Sequence, residues 1–449
     1  MPNVSQTESA IADPPMTGFS FMVVILCCVI NIADGLDFGT LVQAVPILSR
    51  EWGIGPAVIG TLFASTAVGM AVGSFFLAPL SDRFGRRAIL IGALSLITVA
   101  LAASAVCSTP AQLMAMRFLT GMGVGSLMAN LNILIIEYSS RRMGNLFLSI
   151  MHLCFAMGIA FASQIGFWFV LDYGWHFLFL SAAALNAVIL IAVIFLLPES
   201  MQFLASVQPP GALERINQTR ARMGLAALDA LPRVETEKRS KAKIGQLLGA
   251  GIGIGSVGIW VAALCYSILG YYHLSWTPKV LDDAGLPTRI ALLASTFTSI
   301  ASIAGNLFMG YFSSRIGEAR LTAIFFIGAA LAFFGFGIMS RQPYVMLAIT
   351  PAISFFAQGG FSGLMINAVR YYPPELRGSG VGFTTGFGRF GAIAGPLFGG
   401  LALASISLPI IYTALALIAL VAALGIFTAG RQKQQWAASS TGKETMAHG

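Results

Sequence analysis

The stretch Asn31-Ile-Ala-Asp-Gly-Leu-Asp-Phe-Gly39 places two carboxylates inside an apolar run that extends from about Phe19 to Pro46. A helix of about 20 residues, rising 1.5 Å per residue, crosses a bilayer, so this run is long enough to span one. Asp34 and Asp37 are three residues apart and therefore share one face of that helix. A charged side chain at membrane depth costs at least about 2.5–3.5 kcal/mol, so both acids are expected to face water, a cation, a proton or an arginine. The alternative is a structural pair satisfied by another helix.

The composition predicts that apolar runs make up most of the chain. Of its 449 residues, 57% are hydrophobic and 10% are charged. Soluble domains average about 25% charged residues, so the chain is predicted to be an all-α membrane protein with many spans. Segment 1–18 lacks Lys and Arg, which favours a first spanning helix over a cleaved signal peptide. The five cysteines lie in apolar runs without metal-ligand spacing, so neither a metal site nor a disulfide framework is predicted.

Twelve apolar runs predict twelve transmembrane helices. Their approximate bounds are 19–46, 57–80, 88–107, 111–136, 145–170, 175–197, 247–277, 288–312, 320–340, 343–369, 378–403 and 406–429. The predicted division of the chain is an N-terminal tail 1–18, a six-helix half 19–197, a central loop 198–246, a second six-helix half 247–429 and a C-terminal tail 430–449.

The distribution of basic residues predicts the orientation of these helices. With both tails and the central loop in the cytoplasm, 20 of the 26 Lys and Arg residues fall on the cytoplasmic side and four on the other. The remaining two, Arg117 and Arg389, lie within runs. Because basic residues accumulate on the cytoplasmic side of membrane proteins, the net charge of +8 is interpreted as a topology signal and not as a nucleic-acid surface.

The two predicted halves repeat one another. Residues of the first half recur in the second at a constant offset of 232, namely Pro46 and Pro278, Gly53 and Gly285, Gly73 and Gly305, Arg83 and Arg315, and Gly85 and Gly317. Six spans return the chain to its starting side, so both halves are predicted to have the same orientation. This parallel repeat is the plan of many secondary transporters.

The loop after the second run reads Ala78-Pro-Leu-Ser-Asp82-Arg83-Phe-Gly85-Arg86-Arg87. It resembles the signature loop of the major facilitator superfamily, Gly-x-Leu-x-Asp-Arg-x-Gly-Arg-Arg/Lys, with Ala78 in place of the first glycine. The loop is predicted to act as a conformational latch, in which Asp82 accepts hydrogen bonds from helix amides and pairs with arginines. The alternative is a solvated cluster of charges.

The fourth run contains Arg117 and ends near Glu137. Its alternating glycines follow no strand, so they predict close helix packing and not a nucleotide site. Arg117 and Asp37 lie about 9 Å and about 13 Å below the outer surface at helical rise, so an ion pair between them is possible. Asp34, Asp37 and Glu137 are the predicted proton-coupling residues.

The second half contributes the predicted substrate-binding residues. In the seventh run Tyr271, Tyr272 and Trp276 fit either an interfacial aromatic belt or the wall of a site for a planar substrate. The tenth run adds two amides, Gln358 and Asn367.

Arg389 lies about eleven residues into the next run, near the middle of the bilayer. A buried arginine at that depth predicts an anion site. Together with Arg117, it completes the predicted substrate-binding set. His152, Gln164 and His273 are left as polar groups within the spans, with their part in the site open.

Four motifs together resemble the aromatic acid:proton symporters of the superfamily. They are Asp34-Gly-x-Asp37, Arg117-Phe-x-Thr-Gly-x-Gly, Tyr271-Tyr-x-x-Ser-Trp-x-Pro and Gly-x-Gly-Arg389-x-Gly-Ala-Ile-x-Gly-Pro. The resemblance covers nearly the whole chain and implies uptake of benzoate-like acids across the bacterial inner membrane. It implies a proton gradient as the driving force, no cofactor, and a monomer whose partners are a small aromatic anion, protons and lipid.

Other functions stay open at the level of the residues. One is a proton-coupled porter of a non-aromatic organic anion. Another is a drug/proton antiporter in which Asp34 and Asp37 bind a cation, although Arg389 counts against it. No metal-ligand cluster, nucleophile elbow or phosphate loop in the sequence predicts an enzyme.

Overall fold

The computed structural model describes residues 16–140, 143–231, 244–249 and 252–447, and within these ranges the secondary structure is helical without strands. The long helices are α1 (Gly18–Glu51), α2 (Pro56–Val72), α3 (Arg86–Ser104), α4 (Pro110–Tyr138), α5 (Gly144–Leu196), α6 (Gly253–Asp283), α7 (Thr288–Ile316), α8 (Glu318–Ile338), α9 (Pro343–Tyr371), α10 (Pro374–Leu403) and α11 (Leu408–Ala447). Shorter helices cover Ser81–Phe84, Met201–Val207, Ala212–Arg222 and Ile244–Leu248, and a π turn (Gly73–Leu77) and a 3-10 turn (Ala78–Leu80) continue α2.

These helices account for the twelve predicted spans. Ten helical segments of the described residues are long and apolar enough to cross a membrane. The segment within α5 is 51 residues long and holds two spans, because Gly174 breaks it with φ 76° and ψ 172°. The glycine-rich α10, with 30 residues, is the remaining span. A helix satisfies its own backbone hydrogen bonds, which lipid requires, and the prediction of a twelve-helix all-α membrane protein is confirmed.

The predicted tails and central loop are described only in part. Residues 1–15 of the N-terminal tail and residues 232–243 of the central loop lie outside the described residues. The central loop holds two of the short helices and the start of a third, Ile244–Leu248, and α11 continues through the predicted C-terminal tail as far as Ala447. The division at residues 197, 246 and 429 stays a prediction.

The contacts divide the chain, as far as its residues are described, into two compact units. Unit 1 comprises Met1–Leu41, Ser65–Ala162 and Asp172–Lys238, and unit 2 comprises Val42–Ala64, Ser163–Leu171 and Arg239–Gly449. The units therefore do not follow chain order strictly. Segments 42–64 and 163–171, from the first half of the sequence, pack with the helices of the second half.

Small residues hold the first part of α1 tightly against α5 in unit 1. A Cβ added at Gly35 would overlap the carbonyl of Phe155, and one added at Gly158 would overlap the carbonyl of Ile32. Close approach of two backbones through small residues is a common way to join helices in a membrane. It fixes the stretch of α1 that carries Asp34.

In unit 2, glycines bring α10 against α6. A Cβ at Gly391 would lie 2.5 Å from the carbonyl oxygen of Leu264, and one at Gly395 would lie 2.6 Å from that of Ile268. This contact fixes the middle of α10, which carries Arg389.

The structure shows the internal repeat at the level of single residues. Gly85 and Gly317 both have positive φ, 95° and 96°, which glycine adopts without steric cost. Gly73 meets the carbonyl of Met122 on α4, and its counterpart Gly305 meets that of Phe355 on α9. Equivalent residues of the two sequence copies therefore have the same structural role.

Candidate functional site

A buried ion pair joins α1 to α4 in unit 1. Arg117 Nη1 lies 2.7 Å from Asp37 Oδ1, and the two side chains are 1% and 3% exposed. Arg117 Nη2 also donates to the hydroxyls of Ser104 and Thr120, at 3.0 Å each. The ring of Phe179 lies 5.0 Å from the guanidinium carbon. Arg117 is thus a fixed cation, and Asp37 is the carboxylate that neutralises it.

The start of α4 explains why Arg117 lies beside the end of α3. Thr109 caps the helix by accepting a hydrogen bond from the amide of Gln112, and Pro110 occupies the first helical position. The short turn between Ser104 and Thr109 then returns the chain so that Arg117 reaches the Ser104 hydroxyl.

Asp34 has a different environment from Asp37, although it lies one turn earlier on the same face of α1. The residue is 8% exposed, and no cation pairs with it among the residues that the structure describes. Asn31, a further turn back, donates to the carbonyl of Met151 on α5. Burial without a cation disfavours the charged form of a carboxyl group. Of the two acids, Asp34 is therefore the one placed to bind and release a proton.

Glu137, the third predicted proton-coupling residue, belongs to a network around the signature loop. It accepts from Arg86, and the Ser200 hydroxyl donates to the same carboxylate oxygen at 2.9 Å. Arg86 also donates to Ser200 Oγ at 2.7 Å and to Gln202 Oε1 at 2.9 Å. This network ties α3 and α4 to the start of the central loop within unit 1.

The remaining loop residues divide into a buried part and an exposed part. A Cβ at Gly85 would overlap the carboxylate of Glu199, and the amide of Arg87 donates to Glu199 Oε1 at 3.1 Å. Asp82 and Arg83 are exposed, and Asp82 interacts electrostatically with the buried Arg86. The predicted role of these residues as a latch stays a prediction.

In unit 2, two of the predicted substrate-binding aromatics pack between helices. Trp276 is 0% exposed, donates from Nε1 to the carbonyl of Pro396 at 3.2 Å and contacts the ring of Phe63. Tyr272 is 1% exposed and packs edge-on against Tyr412. In this structure both rings support the bundle.

The third predicted aromatic, Tyr271, is partly exposed and lies close to Arg389. The two side chains interact electrostatically, and Arg389 is itself partly exposed near the middle of α10. Tyr271 also interacts with Tyr266, whose hydroxyl donates to Gln358 Oε1. Unit 2 therefore groups an arginine, two tyrosines and an amide on α6, α9 and α10.

Other polar residues within the spans have structural partners. Asn367 donates to Thr322 Oγ1 at 3.1 Å and to the carbonyl of Gly363 at 2.8 Å. Both ring nitrogens of His273 are engaged, with Ser354 and Thr277. Gln164 donates to Thr296, whereas His152 is exposed. No group of three or more His, Cys, Asp or Glu residues in the described ranges is arranged to hold a metal ion.

Some residues of these networks were not predicted as site residues. Glu199 and Ser200 follow a proline at the end of the sixth run, and that Pro-Glu-Ser stretch was the available signal. Tyr266 and Phe361 are aromatic residues within apolar runs, and nothing in the sequence around them indicates a functional site.

A chain of twelve spanning helices with ionisable side chains inside them belongs to the class of membrane transporters. The sequence profile of the Major Facilitator Superfamily matches residues 27–369 and 292–445. The chain belongs to this superfamily, so the resemblance read from the loop at Asp82 is confirmed, and the protein is a transporter and not an enzyme.

Several known proteins that align with nearly the whole chain are transporters of aromatic acids. A gallate transporter of Pseudomonas putida is 30% identical, with 93% of this chain and 94% of that protein covered. A 4-hydroxybenzoate transporter of Acinetobacter baylyi is 27% identical, with 94% and 93% covered. A benzoate transport protein of the same organism is 27% identical, with 95% and 91% covered.

Solved structures show the same fold. The crystal structure of a D-xylose-proton symporter superposes with a TM-score of 0.69 at 17% identity, covering 91% of this chain and 97% of that chain. The pseudo-symmetric twelve-helix architecture predicted from the sequence repeat is that of this superfamily.

Proposed function

We propose that this protein is a secondary transporter that imports an aromatic carboxylic acid together with protons across a bacterial inner membrane. The observation that carries the proposal is the full-length similarity to gallate, 4-hydroxybenzoate and benzoate transporters, each aligned over more than 90% of this chain. The geometry of both units supports it.

Arg389 supports the assignment of an anionic substrate. A carboxylate that leaves water loses strong hydration, and a fixed cation must replace it. A guanidinium meets both carboxylate oxygens with parallel hydrogen bonds. Arg389 is partly exposed near the middle of α10 and is not engaged in any ion pair within the described residues, so it is available to a ligand.

The two acids of α1 support proton coupling with separate roles. Asp34 is the proposed proton carrier, because it is buried and no described residue pairs with it as a cation. Asp37 is the proposed anchor of Arg117, so that this cation is already paired and does not neutralise the carrier. Loss or gain of the proton on Asp34 then changes the net charge of this part of unit 1, which is what couples a proton to a conformational change.

Contacts within unit 2 support alternating access. At the end where α1 stops and α2 starts, Arg50 pairs with Asp282 and donates to Thr288 at 3.1 Å. Gly60 of α2 packs against Gly400 of α10 in the same region. The positive-inside rule assigns this end to the outside, with both termini in the cytoplasm. These contacts join segment 42–64 to the helices of the second half within unit 2, and uptake is proposed to require that they separate.

The remaining features of the proposal follow from this mechanism. A proton gradient drives the transport, so no cofactor is required, and the substrate and protons are the partners of the protein in the membrane. The protein is proposed to act as a monomer. A drug/proton antiporter fits less well, since Arg389 would repel a cationic substrate.

The test is uptake into proteoliposomes with an imposed pH gradient and a panel of labelled acids. Benzoate, 4-hydroxybenzoate and gallate should be concentrated, and cyclohexanecarboxylate, with the same charge and a similar size but no aromatic ring, should not. Protein-free liposomes are the essential control, because the neutral form of such acids crosses lipid by itself. Equal uptake of the cyclic aliphatic acid would favour the rival, a porter of organic anions in general.

A further inference from the structure

We infer that Gln358, oriented by Tyr266, binds a ring hydroxyl of the substrate and so selects hydroxylated aromatic acids over the unsubstituted acid. The inference rests on the proposed function, since it takes an aromatic acid as the ligand of the group formed by Tyr266, Gln358, Phe361 and Arg389, here called the ring subsite.

The ring subsite is built by two contacts between α6 and α9. The hydroxyl of Tyr266 donates to Gln358 Oε1. The ring of Tyr266 stacks on that of Phe361, with centroids 4.5 Å apart and 16° between the planes. Gln358 and Phe361 are three residues apart and therefore lie on one face of α9. One tyrosine thus fixes both an amide and an aromatic surface.

Arg389 lies at the same level of the bundle. A Cβ added at its neighbour Gly388 would lie 3.0 Å from the hydroxyl oxygen of Ser267, the residue that follows Tyr266 on α6. Tyr271 interacts electrostatically with both Arg389 and Tyr266, which connects the two ends of the group. The cation and the amide are thus both connected to α6, through Ser267 and Tyr271 on one side and Tyr266 on the other.

The exposure of these side chains favours a polar cavity over a lipid surface. Phe361 is 36% exposed, and Gln358 and Arg389 are partly exposed, whereas Tyr266, which contacts Gln358 and Phe361, is 6% exposed. An amide and a guanidinium facing hydrocarbon would each leave donors without acceptors, which is costly. The accessible face of the group is thus expected to be wetted in the absence of a ligand.

The chemistry of the amide suits a phenol. Gln358 Oε1 accepts a hydrogen bond from Tyr266. No residue in the described ranges accepts from Gln358 Nε2, so the hydrogens of this nitrogen are available to a ligand. A phenol oxygen accepts from Nε2, and its hydrogen reaches the second lone pair of Oε1. The hydroxyl is recognised because the unsubstituted acid leaves this amide without a partner once water is displaced.

The test compares matched acids on three variants in detergent-purified, full-length protein. Gln358→Met removes the amide with little change of shape, and Tyr266→Phe keeps the stacked ring but no longer orients the amide. Gln342→Met, at the exposed start of the same helix, is the control for the substitution itself. Binding of benzoate and of 2-, 3- and 4-hydroxybenzoate is measured for each protein by the same titration.

The expected result is a selective loss. Gln358→Met should weaken the best-bound hydroxybenzoate by about tenfold while benzoate changes little, with a smaller effect in the same direction for Tyr266→Phe. Equal weakening of benzoate and hydroxybenzoate, or no change in either, would overturn the inference but leave the proposed function standing. Wild-type protein that binds none of these acids would overturn the proposed function and the inference with it. If Gln358→Met does not fold, Tyr266→Phe alone decides between these outcomes.

Discussion

At the scale of single residues, Asp34 and Asp37 show how three positions of a helix separate two chemical roles. Asp37 is satisfied by Arg117 at 2.7 Å, whereas Asp34 has no cation in the described part of the chain. The sequence predicted that both acids lie within the membrane, because the run around them is apolar. The sequence did not show which of the two acids is paired, because the pairing depends on how α4 packs against α1 and on the direction of the Arg117 side chain.

Substitution of Asp34 by Asn should abolish gradient-driven accumulation and preserve exchange. The amide keeps the shape of the carboxyl group but cannot exchange a proton, so the carrier still moves substrate down its own gradient. Pre-loaded proteoliposomes measure both properties, as counterflow at equal pH and as accumulation under a pH gradient. A variant Asp34→Asn that accumulates substrate like the wild type would remove Asp34 from the coupling step.

Asp37→Asn, by contrast, should impair both counterflow and accumulation. It leaves the buried Arg117 without its counter-ion, which destabilises the protein by about 3–5 kcal/mol in comparable buried pairs. The measurement is thermal unfolding in detergent beside the two transport assays. An unchanged unfolding temperature would show that the pair contributes little to the stability of unit 1.

Arg389→Lys should weaken acid binding markedly, and Arg389→Ala should weaken it further. Lysine keeps the charge but loses the planar pair of donors that matches a carboxylate. The comparison is a carboxylate with its uncharged amide analogue, titrated on the wild type and both variants. If acid and amide weaken by the same factor, Arg389 supports the helix bundle and does not bind the charge of the substrate.

At the scale of helices and loops, the structure reveals an ion pair between equivalent positions of the internal repeat. Arg50 at the end of α1 and Asp282 at the end of α6 are separated by the repeat offset of 232 residues and carry opposite charges. Asp282 is buried, and Thr288 donates to its carboxylate at 2.7 Å. The two copies thus provide complementary halves of one contact.

Asp282→Asn should open the outer end more often. Arg50 is the exposed member of the pair, so the pair contributes up to about 1 kcal/mol. A cysteine placed at Phe63 should then react with a membrane-impermeant maleimide about two- to fivefold faster. All native cysteines are first replaced. Asp283→Asn is the matched control, because that acid pairs with Lys279 on its own helix. Equal labelling of the two variants would show that the Arg50 pair does not hold this end closed.

Asp82→Asn in the signature loop should slow the transport cycle without preventing membrane insertion. The side chain is exposed and interacts with the buried Arg86, whose partners tie the loop to α4. The control is Ser314→Ala, since Ser314 is the counterpart of Asp82 in the second copy. Turnover is compared at equal amounts of protein in the membrane. An unchanged rate would show that Asp82 is one of a cluster of solvated charges and does not act as a latch.

The sequence predicted these elements better than their contacts. Apolar length and the 232-residue repeat indicated twelve helices, because lipid imposes a fixed span and a helical backbone. Contacts between distant residues, such as Arg86 with Glu137, depend on how each helix is rotated about its own axis. The pattern of apolar residues does not encode that rotation. For the same reason the sequence left open whether Tyr272 and Trp276 belong to an interfacial belt or to the wall of a site; both are packed inside the bundle, and their contact with substrate stays a prediction.

At the scale of the whole molecule, the two sequence copies share a fold but differ in charge. The Arg86–Glu137 pair of the first copy recurs in the second as Glu318 with Arg370, with the signs exchanged. Asp34, which has no cationic partner in the described part of the chain, belongs to the first half of the sequence, and Arg389 belongs to the second. The two copies of the fold thus contribute different groups, the proposed proton carrier from one and the proposed anion site from the other.

We propose that an aromatic carboxylate and a proton enter the cell together. The direct measurement is acidification inside proteoliposomes, followed with an enclosed pH dye after addition of 4-hydroxybenzoate at equal pH on both sides. We expect acidification that exceeds the protein-free rate, saturates with acid concentration and is lost in Asp34→Asn. Acidification at only the protein-free rate, or alkalinisation on addition of the acid, would contradict it.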